Sequence, residues 1–328
     1  MNNNVMNIIK GFPTPPKDYY KVYVRTCTYN QSVYIEDCLN GGAIQETDFP
    51  FVHHVIDDAS TDGEQEIIKS WMNRECDEDN AKYYDNDVCT ITIAKHRKNP
   101  NYTIVAYFLK RNMYNNPGKS LLYKPWQDVC LYFALCEGDD YWTSPKKLQK
   151  QYGLLEAHPE YSLCHHNHLI LHDGRLTERN ENIPHEQDLL SIAENNTVHT
   201  LTMFYRNIGQ PVVPQDFPFK YPVYQFFMNL RLAEFGKIVY IDEPMAVYRV
   251  NEGGIFSMKS LRRQYTMSIG NVINMIDWYT KGKKRPDVVK VLKKKARIMS
   301  KSYMKIAKDN SSLSDFFYFA RKSLRFWL

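Results

Sequence analysis

The chain has 328 residues, 43% hydrophobic and 24% charged, with a formal net charge of +5. These values exclude a disordered or fibrous protein, and the length suffices for one large domain with an appendage. No run approaches the about 18 apolar residues of a membrane-spanning helix, and seven cysteines without a CxxC pair fit a reducing compartment better than a disulfide framework.

The charge is unevenly spread. Residues 259–328 carry 18 Lys and Arg against 4 Asp, a net of +14, while the preceding 258 residues carry 24 basic and 33 acidic groups. An acidic body that handles anions needs a cation or local positive groups, whereas a basic tail seeks an anionic surface.

Residues 1–18 read as a loose arm, broken by Pro13, Pro15 and Pro16; Met1 to Phe12 lacks the apolar run of a secretory leader. A strand is expected over Val22–Cys27, running into Thr28-Tyr29-Asn30, then a helix over Val33–Leu39 with Ser32 as N-cap. Phe51–Ile56 reads as a second strand that ends in Asp57 and Asp58, followed by a helix from Glu64 to about Trp71. This alternation is the signal of a parallel sheet, whose ligands collect beyond the carboxyl ends of its strands.

Residues 73–90 are polar and read as a loop, with strands over Thr90–Ile93 and Thr103–Leu109. The segment after Leu109, through Lys110, Arg111 and Lys119, offers cations beside that edge. The apolar run Val129–Cys136 then ends abruptly in Glu137-Gly-Asp-Asp140, three acids in four residues. Such a cluster resists desolvation and repels itself, so it belongs where water reaches it or where a cation such as Mg²⁺ or Mn²⁺ neutralises it. The alternative is an acidic turn before the next helix, which Ser144 and Pro145 open and which closes near Ala157.

Tyr161–His168 reads as a strand in which His166 and His168 share one face and His165 the other. With no zinc pattern to complete them, these histidines are expected to be polar cleft residues or hydrogen-bonded sheet residues. Asp173–Asn196 is expected to be loop, Thr197–Arg206 a strand carrying His199, and Pro211–Pro222 a proline-broken loop. A helix over Tyr224–Glu234 and a strand over Lys237–Ile241 follow.

Taken together, the strand ending Thr28-Tyr29-Asn30, the Asp57-Asp58-x-Ser-Thr-Asp62 turn, Glu137-Gly-Asp-Asp-Tyr-Trp142, Val198-His-Thr200 with Arg206-Asn207, and Leu232–Arg249 resemble glycosyltransferase family 2. The resemblance covers roughly residues 20–257. It implies an α/β GT-A (Rossmann-like) fold: a mixed, mainly parallel sheet flanked by helices over 19–257; the charge and spacing of 258–328 add a basic helical extension outside the resemblance. It also implies an inverting, metal-dependent sugar transfer from a nucleotide-sugar, commonly a UDP-sugar, with Mn²⁺ or Mg²⁺ held by DXD-type acids. By resemblance Asp139 and Asp140 divide between metal and donor, with Glu137 supporting the metal from an outer shell. Asp58, or alternatively Asp57, would accept the uracil N3–H; Thr28 and Tyr29 would line the base pocket, and Arg111 would meet the diphosphate. The acceptor would be a glycan or a lipid-linked glycan of surface polysaccharide synthesis.

One position departs from the family. Where relatives place the Asp that serves as general base, this chain has Gln225, which cannot take a proton near neutral pH. Asp216 or the histidines His199 and His166 are the substitutes. A binding protein of the same fold that no longer turns over its ligand is the alternative. A nucleotidyltransferase is disfavoured because Arg25–Tyr29 has no glycine for a triphosphate loop.

In the tail, Val288, Leu292, Ala296, Met299, Tyr303 and Ile306 recur at helical spacing among many lysines. Such a helix either packs on the domain with a solvated basic face or meets an anionic membrane. We expect a cytoplasmic protein that reaches the inner face of the cell membrane, with no nucleic-acid partner.

Overall fold

The computed structural model describes residues 11–114, 116–179, 181–214, 217, 225–251, 260–282 and 284–324. They form two compact units: one of the described residues up to His185 with Val198–Gln210 and Val239–Arg249, the other of Glu186–Thr197, Pro211–Ile238 and Val250–Leu328.

The first unit is built on a sheet with a parallel centre. Strands β1 (Val22–Thr28) and β2 (Phe51–Asp57) pair in parallel, as do β1 with β6 (Tyr132–Leu135) and β2 with β5 (Tyr102–Leu109). β2 and β5 are buried along their whole length, which is why their sequences are near-continuous apolar runs rather than alternating ones. Helices α1 (Ile35–Ala43) and α2 (Glu64–Glu75) make the crossovers. Antiparallel strands extend both sides: β4 (Cys89–Lys95) and β3 (Lys82–Asp85) beyond β5, and β11 (Phe204–Arg206) and β8 (Tyr161–His172) beyond β6, with β12 (Lys237–Arg249) next to β8. The fold is therefore a mixed α/β sheet flanked by helices. Between the sheet and the helices, Trp71, Tyr102 and Phe51 are fully buried, and His53 is satisfied there by Thr26 and the Tyr102 hydroxyl at 2.8 and 2.9 Å.

Several elements differ from expectation. Ser32 does not cap α1, which begins at Ile35 after Tyr34 without a side-chain cap; the Ser32 N–H instead donates to Asp62 across the loop. The segment 73–90 contains the short, mostly exposed edge strand β3, whose Lys-Tyr-Tyr-Asp sequence has no alternation to betray it. Within the expected loop 173–196 lie β9 (Arg175–Glu178), β10 (Glu186–Gln187) and α5 (Leu189–Glu194). The β8–β9 hairpin turns on Asp173 and Gly174, both at positive φ (48° and 72°), an Asp-Gly signal of a two-residue hairpin that was present in the sequence. The expected strand over Thr197–Arg206 shrinks to β11. Before it the Thr202 hydroxyl donates to the His199 carbonyl at 2.8 Å and folds Thr200–Thr202 into a 3₁₀ turn, a local bond that competes with the ladder.

The second unit is helical. It contains α5, α6 (Gln225–Ala233), α7 (Leu261–Lys281), α8 (Pro286–Asp309) and α9 (Leu313–Ser323). Pro286 opens α8, where a missing N–H is harmless, and Ser260 caps α7. Tyr265 packs on Phe319 at 4.6 Å, and the Tyr279 hydroxyl donates to Glu234 at 2.7 Å. No described helix is long and apolar enough to cross a membrane.

Candidate active site

The parallel centre brings three strand ends together, two of them acidic. Thr28 stands opposite Asp57 in the β1–β2 ladder, and Leu135 stands opposite Arg25 on the other side of β1. The turns after β1, β2 and β6 therefore share one edge of the sheet.

The first two turns are laced to one another. Asn30, at φ 53°, accepts the Thr61 N–H at 2.8 Å and donates its own N–H to Ser60 at 2.9 Å. Buried Glu64 accepts the Thr28 hydroxyl, the Ser60 hydroxyl (2.8 Å) and the Gln31 N–H (3.0 Å), and burial pushes its carboxyl above the usual range. In the sequence Glu64 looked like nothing more than a first helical residue; its role as the knot of this edge depends on contacts 33 and 36 positions away.

The adjacent acids Asp57 and Asp58 are used differently. Asp58 is fully engaged: one oxygen accepts the Met113 N–H at 2.6 Å and the other pairs with Lys119 at 2.7 Å. Asp57 offers one oxygen to the Ser60 N–H and to Gln65, while its other oxygen is buried with no hydrogen-bond partner among the described residues. Tyr29 projects beside them, 47% exposed, and Arg111 is exposed.

The third turn fits against the first with no room to spare. A Cβ on Gly138 would lie 2.3 Å from the Thr28 hydroxyl and 2.4 Å from the Gln31 side-chain oxygen, so only glycine lets the turn approach. Asp140 is 3% exposed and accepts the Arg249 backbone N–H at 2.9 Å, while the Arg249 guanidinium donates to the Asp139 carbonyl at 3.1 Å and pairs with Asp37. Arg249 also lies over the rings of Tyr34 and Tyr141. Burial, reinforced by Asp139 and Glu137, pushes the Asp140 carboxyl well above the usual range. Burial likewise raises Glu137, which Asp139 pushes further and Arg25 and Lys119 offset. Asp139 is half-buried.

These acids fit a divalent cation only of one kind. Among the described residues no three His, Cys, Asp or Glu side chains form a metal cage. The oxygen-only set of Asp139 and Asp140, with one Asp140 oxygen already committed, suits a cation that brings waters and ligand oxygens of its own, and the repulsion between the carboxyls is what such a cation relieves.

Of the candidate bases, His199 is tied to the residues of this turn through the chain that follows it. It precedes the 3₁₀ turn whose Leu201 carbonyl accepts the Trp142 indole N–H at 2.9 Å. Its ring is 4.6 Å from His168 and 5.9 Å from Tyr248, and the Tyr248 hydroxyl is pushed up by burial and then by Asp140 and Asp139. Burial lowers His199 to about 4, so its imidazole is neutral at pH 7. His166 is fully buried, with Nδ1 against the Asn167 carbonyl at 2.6 Å and with Lys147 depressing it further. The expectation of hydrogen-bonded sheet histidines fails for His165 and His168. Neither ring has a hydrogen-bond partner among the described residues, and burial lowers both to about 3. Gln225 opens α6 in the second unit, and Asp216 lies outside the described residues.

No protein-family model matches the chain. It is 32% identical over 248 residues to an uncharacterized protein of Mycobacterium bovis and to uncharacterized proteins of two Mycobacterium tuberculosis strains. The match takes in 74% of this chain and 63% of theirs, so the chain spans less than two thirds of the length of these relatives. Among solved structures, S. aureus TarS 1–349 in complex with UDP-GlcNAc superposes with a TM-score of 0.53 at 18% identity, covering 93% of this chain and 91% of that one. The mannosyltransferase PcManGT of Pyrobaculum calidifontis, in complex with GDP-Man and Mn²⁺, superposes with a TM-score of 0.52 at 15% identity, covering 99% and 86%. At these identities the likeness is one of fold, and the fold of this chain is the one that these two sugar-nucleotide complexes share.

Proposed function

We propose that the protein is a glycosyltransferase that takes a sugar from a nucleoside diphosphate and passes it to a hydroxyl acceptor with inversion. The observation that carries this reading is the convergence of the Asp57–Asp58 and Glu137–Asp140 turns, with Lys119 between them, at the carboxyl edge of a parallel sheet. Two structures of the same fold hold UDP-GlcNAc and GDP-Man with Mn²⁺.

In this reading the buried, unpartnered oxygen of Asp57 accepts the base N3–H, because Asp58 is already committed to Met113 and Lys119. That reverses the order of preference expected from sequence. Thr28 holds the pocket floor through Glu64, and Tyr29 lays its ring along the base. Lys119 and Arg111 provide positive charge for the diphosphate. Asp139 and Asp140 would hold Mn²⁺ or Mg²⁺, with Glu137 behind them; when bound, the cation stabilises the charge left on the departing diphosphate. Arg249 keeps the acidic turn in place by bonding its backbone and Asp140 together.

The acceptor's proton needs an unprotonated base, and the neutral imidazole of His199 supplies one. The donor is most consistent with a UDP-sugar and the acceptor with a glycan or lipid-linked glycan, as the family resemblance implies. The second reading, a protein that binds a nucleotide-sugar without turnover, is favoured by Gln225 alone.

Turnover separates the two. Purified protein is incubated with a panel of nucleotide-sugars and Mn²⁺ or Mg²⁺, and released nucleoside diphosphate is measured with and without candidate acceptors. Release that depends on the cation and is lost in His199→Gln supports the transferase. Tight nucleotide binding with no release from any donor would leave the binding protein.

A further inference from the structure

The second unit carries two outward stripes of different chemistry on neighbouring helices. On α8 the residues Lys290, Lys294, Arg297, Lys301, Lys305 and Lys308 follow one another at gaps of 4, 3, 4, 4 and 3, which places them on a single helical face. The lysines are exposed and Arg297 is half-buried, whereas Val288, Leu292, Ala296, Ser300 and Ala307 on the other side are buried. At 1.5 Å per residue the stripe is about 27 Å long. Lys294 pairs with Glu194 at 2.7 Å, and like charges so spaced along one face repel one another.

The next helix, α9, follows after the short connection 310–312. Its inward face is accounted for by Phe319 against Tyr265 and Tyr303 and by Asp315 against Arg262. Its outward face carries Leu313, Phe317 and Leu324, 72%, 66% and 59% exposed, at gaps of 4 and 7. Apolar side chains repeating at helical spacing toward solvent, with Arg321 and Lys322 exposed beside them, are an amphipathic face left exposed among the described residues.

We infer that α8 and α9 form a docking surface for an anionic lipid bilayer: the α8 cations meet the headgroups, and Leu313, Phe317 and Leu324 enter the interface. Charge complementarity selects this occupant. A soluble protein partner for the apolar stripe would not need six cations on the adjoining helix. Anionic lipid needs both, because electrostatic attraction brings the helix pair to the surface and apolar burial retains it. Attachment here is by surface contact, distinct from the donor site in the first unit.

The test is co-sedimentation of the full chain with phosphatidylcholine vesicles, with and without phosphatidylglycerol, at low and high salt and without nucleotide. Binding is expected only to the phosphatidylglycerol vesicles and should be reversed by salt. Lys301→Glu, Lys305→Glu and Lys308→Glu together should weaken it at least about tenfold, and Leu313→Asn with Phe317→Asn roughly as much. All five positions are exposed, so circular dichroism and melting should be unchanged. Equal binding to neutral vesicles, or sedimentation indifferent to the charge reversals, would overturn the inference. So would a fall in solution mass on changing Leu313 and Phe317 with vesicle binding intact, which would assign the apolar stripe to a second copy of the chain.

Discussion

In the first unit the acids are inside: Asp57, Asp58, Glu64 and Asp140 are each at most 3% exposed, and each accepts a hydrogen bond from a named backbone or side-chain donor. On α8 in the second unit the lysines are outside, on the face opposite its buried stripe. A buried charge requires partners in fixed places, so the chain around it is specified residue by residue. An exposed charge requires only water, and its neighbours are interchangeable. The contrast teaches where substitution should be felt: at single atoms in the first unit, and only through the sum of charges in the second.

The largest expected effect follows from removing one charge in the first unit. Asp139→Asn should reduce donor turnover by about 100-fold or more, while leaving the melting temperature nearly unchanged because the side chain is half-buried; steady-state assays with calorimetry check both. Next comes Gly138→Ala. Its Cβ has no space between Thr28 and Gln31, so the change should destabilise the fold by about 1–3 kcal/mol in denaturant titrations. A neutral result would mean that the acidic turn is looser than its contacts indicate.

A smaller effect comes from the buried histidines. His165 is held at about 3 by burial, below the about 6.5 of an unfolded chain. The unfolded state therefore binds a proton that the folded state refuses. Stability is intact above pH 6.5 and declines as pH falls from 6.5 toward 3, by up to about 1.4 kcal/mol per pH unit for each such histidine. His165→Gln should flatten the acid limb of a stability–pH curve by up to that slope. Glu137 and Asp140, pushed upward, act in the opposite sense, so the comparison is between variant and parent rather than with a flat line. The smallest effect belongs to the second unit. Lys290→Gln or Lys305→Gln should change stability by less than about 0.5 kcal/mol, and a loss much larger than that would show that the α8 face is not merely solvated.

The same contrast governs what the sequence could reveal. β1, β2 and β5 were legible because buried parallel strands are continuous apolar runs, and the acidic turns were legible because charge directly after such a run is unusual. The α8 stripe was legible from its spacing. Glu64 and Arg249 were not recognisable as parts of the edge, since each acts through partners far away in the chain. Nor was the division of labour between Asp57 and Asp58, which depends on Met113 and Lys119 reaching only the second of the pair. β3 escaped because a short strand without alternation is indistinguishable from loop, and β11 was expected too long because a threonine bond folds the residues before it into a turn.

The account's central claim is that the acidic edge of the first unit is a nucleotide-sugar site, and calorimetric titration tests it most directly. UDP- and GDP-sugars are titrated into the full chain with and without Mn²⁺, in the parent protein and in Asp57→Asn and Asp139→Asn. The account predicts binding of at least one nucleotide-sugar that Mn²⁺ strengthens, that Asp57→Asn weakens through the base, and whose Mn²⁺ dependence Asp139→Asn removes. Absence of binding to every nucleotide-sugar, or binding unchanged in both variants, would contradict it.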